Sequence, residues 1–443
     1  MVGIIGSNLL GTGSLVQKDI NSDASSQKKE SVSVNIATGN LVIQDIDDTL
    51  VSHGADMHVL RTYNSQGALN TNGKWWLSTP TITQRDASTL IRTERDGQQK
   101  IYAWDSARNQ FVATYGDGAF DTITRQDWGW SWRDGSSGMV DAYAFNGVLL
   151  RRTDSTGNTL HFTVEAGSNR LLQIKSDAGE IQNYEYYDPR NGNLLTAVHN
   201  NFSNGTQNTR IRYTYDDLQR LQSAVVDLTP DDNSISDGNT YQIRYDYDGN
   251  SERISQISQS DGSLLKFTYT QKADSSYAVA TIVDALNRTT SFNYLAGLTQ
   301  VTDAMGNVTH YQYDGKGQIS RITGPAQNGK ENTVTYQYSE AGQLLAVTDA
   351  EGLVTTYRYD NNGNLISQTD SAGNAREWVY NSNNQKTAES VRAAGSTQIS
   401  TTRYVVNEKN QVRFVISPEG SVKEFRYNVS GEISSELIYL RTH

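Results

Sequence analysis

Residue types that carry out catalysis or bind metals are sparse or widely spaced in this sequence. The 443 residues contain no cysteine, which excludes disulfides, thiolate nucleophiles and zinc-thiolate sites. The six histidines lack metal-ligand spacing, which favours solvated or half-buried strand positions over ligation. They are His53, His58, His161, His199, His310 and His443. No Walker loop, dinucleotide fingerprint or Gly-x-Ser-x-Gly elbow is present. The sequence therefore predicts no catalytic residue, no cofactor-binding residue and no metal ligand.

Acidic residues occur at regular positions that suit turns. Asp303, Asp349 and Asp370 each precede a glycine by three, a spacing with which an aspartate caps a four-residue turn. This interpretation is favoured over calcium binding or catalysis. The segment 246–250, DYDGN, is similar to a calcium loop but lacks the downstream glutamate. A glycan hydrolase needs two carboxylates about 5–10 Å apart, and it stays open as a third-ranked function.

Tryptophans are concentrated in residues 74–145. Trp128, Trp130 and Trp132 are predicted on one face of a strand. A sugar-binding platform is the functional interpretation, but large aromatic residues also dominate buried β cores, and the core is favoured. A Trp-rich first segment also suits a unit that closes one end of a repeat array.

The chain from about residue 146 onward consists of copies of one unit, seen best at 342–360, GQLLAVTDAEGLVTTYRYD. Each copy has a turn, an apolar strand, a second turn containing glycine, and a strand with two aromatic residues. Copies open at Gly297, Gly317, Gly342, Gly363, Asn384, Asn410 and Gly431, at intervals of 20, 25, 21, 21, 26 and 21 residues. A fixed interval of this length indicates a repeat architecture of β-hairpins.

The two aromatic residues of each copy are separated by one residue, which is polar at Thr214, Gln312, Gln337, Arg358 and Arg426. Side chains alternate across a strand, so both rings of a pair are predicted on one face and the polar residues on the other. Neighbouring pairs would form an aromatic ladder along one sheet. The pairs are Tyr184/Tyr186, Tyr213/Tyr215, Tyr245/Tyr247, Phe267/Tyr269, Phe292/Tyr294, Tyr311/Tyr313, Tyr336/Tyr338, Tyr357/Tyr359, Trp378/Tyr380 and Phe425/Tyr427.

Composition narrows the possible partners. A net charge of −11 argues against nucleic acid or an anionic membrane as the main partner. No apolar run approaches the ~20 residues that a spanning helix needs, so no membrane span is predicted. Residues 1–17 have no basic start and a broken apolar run, so a classical signal peptide is not expected.

Three regions are predicted along the chain. Residues 1–30 are expected to be a flexible N-terminal segment, with order beginning at Ser31. Residues 31–145 are expected to be a Trp-rich β region that caps the array, and they open with a hairpin over 31–45, SVSVNIATGNLVIQD. Residues 146–443 are expected to be repeats forming a spiral β-sheet shell.

These motifs resemble those of the YD-repeat, or RHS-repeat, family: Gly-x-Leu, a central Asp-x-x-Gly, then Tyr-x-Tyr-Asp, as in 342–360. The ATGNL of 37–41 and the RTYNS of 61–65 look like the segment that precedes the repeats in large bacterial RHS proteins. The resemblance implies a hollow spiral shell, as in Tc toxins, RHS toxins and teneurins, which in toxins encloses a C-terminal toxic domain. The family's self-cleavage element, Asp-Pro-x-Gly, is not matched by 188–192, DPRNG, or by 417–420, SPEG.

The sequence thus predicts an all-β fold, an array of antiparallel β-hairpins in one long curved sheet. The leading functional hypothesis is a non-enzymatic shell segment of a secreted bacterial toxin. Its expected partner is a cargo polypeptide or the remainder of a larger toxin chain. The alternative is a cell-surface adhesin or carbohydrate-binding module with a glycan partner. In either case the chain is expected to be a fragment or to have its remainder supplied elsewhere.

Overall fold

The computed structural model describes residues 2–5, 10, 17–19, 31–52, 55–67, 74–77, 79–113, 115, 119–187, 194–327, 329–429 and 431–439. Within these residues the fold is almost entirely β, with one short 3-10 helix at Pro230–Asp232. The strands form two sheets.

The first sheet has the strand order β2-β1-β3-β4-β5-β6, in which only β1 and β3 pair in parallel. Its strands are β1 (Val2–Ile5), β2 (Gln17–Asp19), β3 (Ser31–Asn35), β4 (Leu41–Leu50), β5 (Met57–Asn64) and β6 (Trp75–Trp76). The hairpin predicted over residues 31–45 is present as β3 and β4.

The second sheet contains all the remaining strands, paired in chain order. They are β7 (Thr81–Asp86), β8 (Thr89–Thr93), β9 (Gln99–Asp105), β10 (Gln110–Ala113), β11 (Thr122–Gln126), β12 (Gly129–Arg133), β13 (Val140–Ala144), β14 (Leu149–Thr153), β15 (Thr159–Val164), β16 (Leu171–Ser176), β17 (Ile181–Tyr186), β18 (Leu195–Asn201), β19 (Gln207–Tyr215), β20 (Leu221–Asp227), β21 (Thr240–Tyr247), β22 (Ile254–Gln259), β23 (Leu264–Gln271), β24 (Tyr277–Asp284), β25 (Thr289–Leu295), β26 (Leu298–Thr302), β27 (Val308–Tyr313), β28 (Ile319–Gln327), β29 (Lys330–Tyr338), β30 (Leu344–Thr348), β31 (Val354–Tyr359), β32 (Leu365–Asp370), β33 (Ala375–Tyr380), β34 (Lys386–Arg392), β35 (Ser400–Val406), β36 (Val412–Ile416), β37 (Val422–Tyr427) and β38 (Ile433–Tyr439).

This second sheet is one open strip of 32 antiparallel strands. Each strand pairs with its neighbours in sequence, and no residue pair in the described residues joins β38 to β7. The prediction of an all-β array of antiparallel hairpins in one long sheet is confirmed.

The repeat unit has the same irregularity in most copies. The register shifts beside the second aromatic residue of the pair, for instance between Arg358 and Tyr359. A bulge of this kind increases the local twist of the strand. Because it recurs along the strip, it supplies a regular increment of twist.

The second tyrosine of the pair closes the open end of its hairpin. The Tyr359 hydroxyl donates to the carbonyl of Leu344, which lies beyond the last residue of β30 that pairs with β31. The same bond, at 2.7 to 3.0 Å, joins Tyr215 to Leu195, Tyr247 to Leu221, Tyr269 to Ile254, Tyr294 to Val279, Tyr338 to Ile319 and Tyr427 to Val412. The tyrosine therefore satisfies a carbonyl that the sheet ladder leaves unpaired.

The strip curves around the first sheet. Arg95, in the turn after β8, donates to the carbonyl of His58 at 2.7 Å, and Thr299 in β26 donates to the carbonyl of Ile36 at 2.6 Å. If the strip were flat, the distance from β8 to β26 would be about 85 Å at ~4.8 Å per strand. The six strands of the first sheet, which contact both, span only ~25 Å. The face that contacts the first sheet must therefore be concave.

The strands β7–β14 curve so that the first of them contacts the last, and we call them the narrow end. Arg92 in β8 donates to the Tyr143 hydroxyl in β13 at 3.0 Å, across the four strands between them. The amide of Ile82 in β7 donates to the carbonyl of Gly147 at 3.2 Å. The narrow end has a core of its own, which includes Trp130 and Trp132.

The last strands return to the narrow end. The amide of Phe120 donates to the carbonyl of Asn362 at 2.7 Å, and the Asn384 side chain donates to the carbonyl of Gly135 at 3.0 Å. These contacts join the turns of β29–β38 to turns more than 200 residues earlier in the chain. The strip therefore winds back on itself, with one stretch beside another.

Two observations bear on the expected division of the chain. The strand β1 lies inside residues 1–30, where a flexible segment was expected, and Ile4 and Ile5 are fully buried against the first sheet. The expected boundary at 145/146 lies within the second sheet, between β13 and β14. The division into three regions stays a prediction.

The hydroxyl of Tyr294 provides a test of the hairpin closure. We expect Tyr294→Phe to lower the free energy of unfolding by about 1 kcal/mol, because it leaves the Val279 carbonyl without its donor. Tyr380→Phe is the matched control, since the Tyr380 hydroxyl has no partner in the described part of the chain. Urea unfolding followed by circular dichroism measures both variants. Equal effects would contradict the role of the bond.

Candidate functional site: the concave aromatic face

The first ring of each repeat lies on the concave face, but its burial changes along the strip. The rings are buried in the earlier copies, at Tyr184, Tyr213, Tyr245, Phe267, Phe292 and Tyr311. They are only half-buried in the later copies, at Tyr336, Tyr357, Trp378, Tyr404 and Phe425. The change coincides with the last strands that the first sheet covers.

A buried ion pair holds the first sheet against the earlier rings. Arg61 in β5 donates from Nε and Nη2 to the two carboxylate oxygens of Asp47 in β4, both at 2.8 Å. The Tyr213 hydroxyl donates to the same carboxylate at 2.6 Å, and Arg61 also donates to the Tyr245 hydroxyl. Arg61 and Asp47 are 0% and 1% exposed. Two charges in such a dry site stabilise each other only with full hydrogen bonding, and here the strip supplies part of it.

Aromatic contacts surround this ion pair. The Trp75 ring lies 4.9 Å from the Tyr245 ring at a steep angle, and the Arg61 guanidinium lies 4.7 Å from the Trp75 ring. Burial raises the pKa of Tyr213, so its hydroxyl remains a hydrogen-bond donor. The cluster is therefore a fixed joint between the two sheets.

The two N-terminal motifs of the sequence both lie at this contact. Tyr63, of the RTYNS motif, donates to the carbonyl of Glu252 at 2.8 Å and accepts from the amide of Ile254 at 3.1 Å. Gly39, of the ATGNL motif, has φ of +80° and accepts from the amide of Val279 at 3.0 Å. A Cβ at Gly39 would lie 2.2 Å from the Ala278 Cβ, so only glycine fits this approach.

The described histidines lie apart, each with its own polar partners. His58 contacts Thr49 at 2.9 Å, and His161 contacts Asp177 at 2.9 Å. His199 lies between Thr209 and Glu185, both at 2.7 Å, and His310 contacts Gln300 at 3.2 Å. His53 and His443 lie outside the described residues. Within the described ranges, no three His, Asp or Glu side chains are grouped as metal ligands.

The regular aspartates cap turns, as predicted. The Oδ1 atom of Asp349 accepts from the amides of Glu351 and Leu353 at 3.0 and 2.8 Å. Asp303 and Asp370 are bonded by backbone amides in the same way. In the segment similar to a calcium loop, Asp246 accepts from Gln256 and Asp248 from Arg253. The aspartate carboxylates are thus engaged within the protein.

The tryptophan prediction was wrong at one position. Trp130 and Trp132 lie in β12 and are both 3% exposed, within the core of the narrow end. Trp128 lies in the two-residue turn between β11 and β12 and is 41% exposed. A tight hairpin places its turn residues outside the strand alternation, so the three rings form no common platform.

Only one of the two segments compared with the self-cleavage element lies within the described residues. Residues 188–193, which include the whole DPRNG segment, lie outside the described residues. Residues 417–420 form a turn, in which the amide of Gly420 donates to the carbonyl of Ser417 at 3.0 Å.

Arg61 was missed as a functional residue by the sequence reasoning, although its motif was noted. Its partner Asp47 is fourteen residues earlier, and the tyrosines that complete the cluster lie more than 150 residues away. The available signal was weak, since Asp47 and Arg61 lie in two consecutive strands that also carry other polar and charged residues.

Comparison with known families supports the repeat interpretation. Residues 338–375 and 359–397 match the RHS repeat model, and residues 206–328 match the teneurin YD-shell model. These residues are RHS/YD repeats. The resemblance drawn from the Gly-x-Leu, Asp-x-x-Gly and Tyr-x-Tyr motifs is confirmed.

Several solved structures resemble the chain at low sequence identity. The crystal structure of TcdB2-TccC3-TEV matches at 12% identity and TM-score 0.36, over 90% of this chain and 22% of that one. The crystal structure of TcdB2-TccC3-Cdc42 matches at 10% identity and TM-score 0.37, over 90% of this chain and 28% of that one. The structure of the Photorhabdus luminescens Tc holotoxin pore matches at 9% identity and TM-score 0.28, over 88% of this chain and 30% of that one. The chain therefore spans less than a third of each of them. A search of curated proteins finds no match.

The described residues include no helix that is long and apolar enough to span a bilayer.

The buried ion pair is testable by substitution. We expect Arg61→Met to lower the free energy of unfolding by about 3–5 kcal/mol, because it leaves the Asp47 carboxylate buried without its cation. Lys423→Met is the control, since it breaks an ion pair to Glu436 whose side chains are 39% and 46% exposed. That change should cost less than about 1 kcal/mol. Denaturant unfolding measures both, and similar losses would contradict the role of the Arg61 joint.

The turn aspartates are expected to make the stability of the fold decrease as the pH falls into the acid range. Hydrogen bonds from Asn307 and Asn374 lower the pKa of Asp303 and Asp370 below the ordinary 3.8. Their contribution is therefore complete above that value and is lost as the pH falls through the lower folded pKa. Asparagine at the same turn position, as at Asn407, also accepts backbone amides but does not titrate.

We expect the double variant Asp303→Asn/Asp370→Asn to lose less thermal stability than the native chain between pH 5 and about pH 2.5. Melting temperatures across this range measure the difference. Parallel curves for the two proteins would show that these carboxylates make no linked contribution.

Proposed function

We propose that this chain is a non-enzymatic shell segment of a secreted bacterial RHS/YD-repeat toxin, and that its concave face encloses a cargo polypeptide. The observation that carries the proposal is the uncovered aromatic row from Tyr336 to Phe425 on the concave side of a strip that winds back on itself. The earlier part of the same row is covered by the protein's own first sheet.

The physical basis is the chemistry of the uncovered row. Half-buried rings on a concave wall offer apolar area that water contacts poorly, and a partner that covers it gains hydrophobic stabilisation. Polar and charged residues alternate with the rings across the strands, since Trp378 pairs with Glu389 and Phe425 with Glu436. A lining that mixes apolar rings and charges suits an incompletely folded polypeptide, which presents both kinds of group.

The function is exclusion rather than catalysis. A cargo held by this wall is kept from folding or aggregating until it is released, while the pairing of successive hairpins leaves few open strand edges inside. The match to the teneurin YD-shell model supports a shell role. The toxin assignment rests on the sequence motifs, and the remainder of the shell would come from further residues of a larger toxin assembly.

The carbohydrate-binding alternative has less support. Of the three tryptophans proposed for it, only Trp128 is exposed, and the Arg151 guanidinium lies 5.2 Å from its ring. A single turn tryptophan beside an arginine is a small surface for a glycan.

The experiment measures binding of reduced, carboxymethylated α-lactalbumin, a permanently unfolded and acidic probe that net charge does not attract to this acidic chain. Fluorescence anisotropy of the labelled probe should show saturable binding to the full chain. The native form of α-lactalbumin should not bind.

Matched variants decide whether the concave face is responsible. Trp378→Ser/Tyr404→Ser removes two concave rings and should weaken probe binding by about tenfold or more. Val379→Ser/Val405→Ser alters the neighbouring residues of the opposite face, which are 57% and 45% exposed, and should leave binding unchanged. Absence of probe binding, or equal effects of the two variants, would overturn the proposal.

A further inference from the structure

A cavity of about 390 Å³ lies between the narrow end and the first sheet. Gln44 and Leu60 line it from the first sheet, and Arg92, Trp132 and Arg152 line it from the strip. Cavities of about 300–1,000 Å³ commonly bind small ligands. We call this cavity the junction pocket.

Three of the four cationic side chains that line the pocket form ion pairs with aspartates of the protein. Arg92 donates to a carboxylate oxygen of Asp141 at 2.9 Å, and Arg152 donates from Nε to the same carboxylate at 2.7 Å. Lys100 lies 3.3 Å from Asp121. These charges are neutralised within the protein, so they hold the wall of the pocket rather than attract a ligand.

Arg95 is the exception among these cations. Its Nη2 donates to the carbonyl of His58 at 2.7 Å, but its Nε is buried and has no hydrogen-bond partner among the described residues. Burial, together with repulsion from the Arg152 guanidinium, lowers the pKa of Arg95 to about 10. A partly buried guanidinium without a neighbouring carboxylate is destabilising, and an anion that enters the pocket beside Arg95 would neutralise its charge.

The acidic residues of the lining form hydrogen bonds with groups other than Arg95. Glu94 accepts from Arg92. The Oδ1 atom of Asp96 caps a turn by accepting from the amide of Gln98 at 3.0 Å, and Asp134 accepts from the amides of Ser136 and Ser137. No carboxylate of the described chain lies within 4.0 Å of Arg95, since none of the ion pairs includes it.

We propose that the junction pocket binds a ligand through a single carboxylate, which pairs with the Arg95 guanidinium. The guanidinium fork fits a carboxylate with short, charge-assisted bonds. Arg92, Arg152 and Lys100 are paired with carboxylates of the protein, so Arg95 is the one lining cation left for a ligand, which suits one added negative charge rather than a phosphate dianion. Leu60, Met139 and Trp132 give the ligand an apolar side.

Two sources can supply this carboxylate: a small acid that enters the pocket freely, and an acidic side chain of a bound peptide. Isothermal titration of the full chain at low salt distinguishes them with three probes. Glucuronate tests the small acid, a short peptide with one central glutamate tests the side chain, and glucose is the uncharged counterpart of glucuronate.

Arg95→Gln should weaken binding of the active probe by about tenfold or more, because it removes the charged donor. Arg85→Gln is the control, since Arg85 is exposed in the neighbouring strand β7 and should leave binding unchanged. Met139→Trp narrows the pocket without altering its charge and should also abolish binding, which keeps the proposal testable if Arg95→Gln does not fold.

Saturable binding of glucuronate, of the peptide or of both supports the carboxylate site and identifies its source. The proposal is overturned if neither binds, if glucose binds as well as glucuronate, or if Arg95→Gln, folded, binds as the native chain does. Binding that persists unchanged in Met139→Trp would also overturn it, because the ligand would then lie outside this pocket.

Discussion

The buried pair of Arg61 and Asp47 is the constraint on which the architecture depends. Neither charge is stable in that environment alone, and their hydrogen bonds are completed by Tyr213 and Tyr245 of the second sheet. The first sheet can therefore satisfy its own charges only when the strip lies against it. A requirement set by two residues thus fixes the relative position of two sheets that share no strand pairing.

Curvature of the strip is compatible with this joint because the repeat carries its own source of twist. A bulge beside the second aromatic residue recurs in most copies, and the tyrosine hydroxyl closes the same end of the hairpin. A regular increment of twist makes a long sheet coil rather than lie flat. The first sheet then occupies the concavity, which explains why one small sheet contacts strands as distant as β8 and β26.

Features of the structure that depend on near neighbours in sequence could be predicted from the sequence. The repeat interval, the aromatic pairs and the aspartate caps, such as that of Asp349, are set within about twenty residues, and each was predicted correctly. Trp128 was misplaced because strand alternation was extended by one residue into a turn. The Arg61 joint and the junction pocket depend on contacts between distant segments, for which a single sequence holds no direct signal.

The repeats before and after Tyr336 are alike in sequence, yet the same ring position is buried in one group and half-exposed in the other. The difference cannot come from the repeat, and it follows instead from what lies over the concave face. Where the first sheet ends, the aromatic wall continues without a cover, although a stable isolated sheet would bury such a face. The repeat thus serves as core where Arg61 joins the two sheets and forms an open wall where the first sheet no longer covers it.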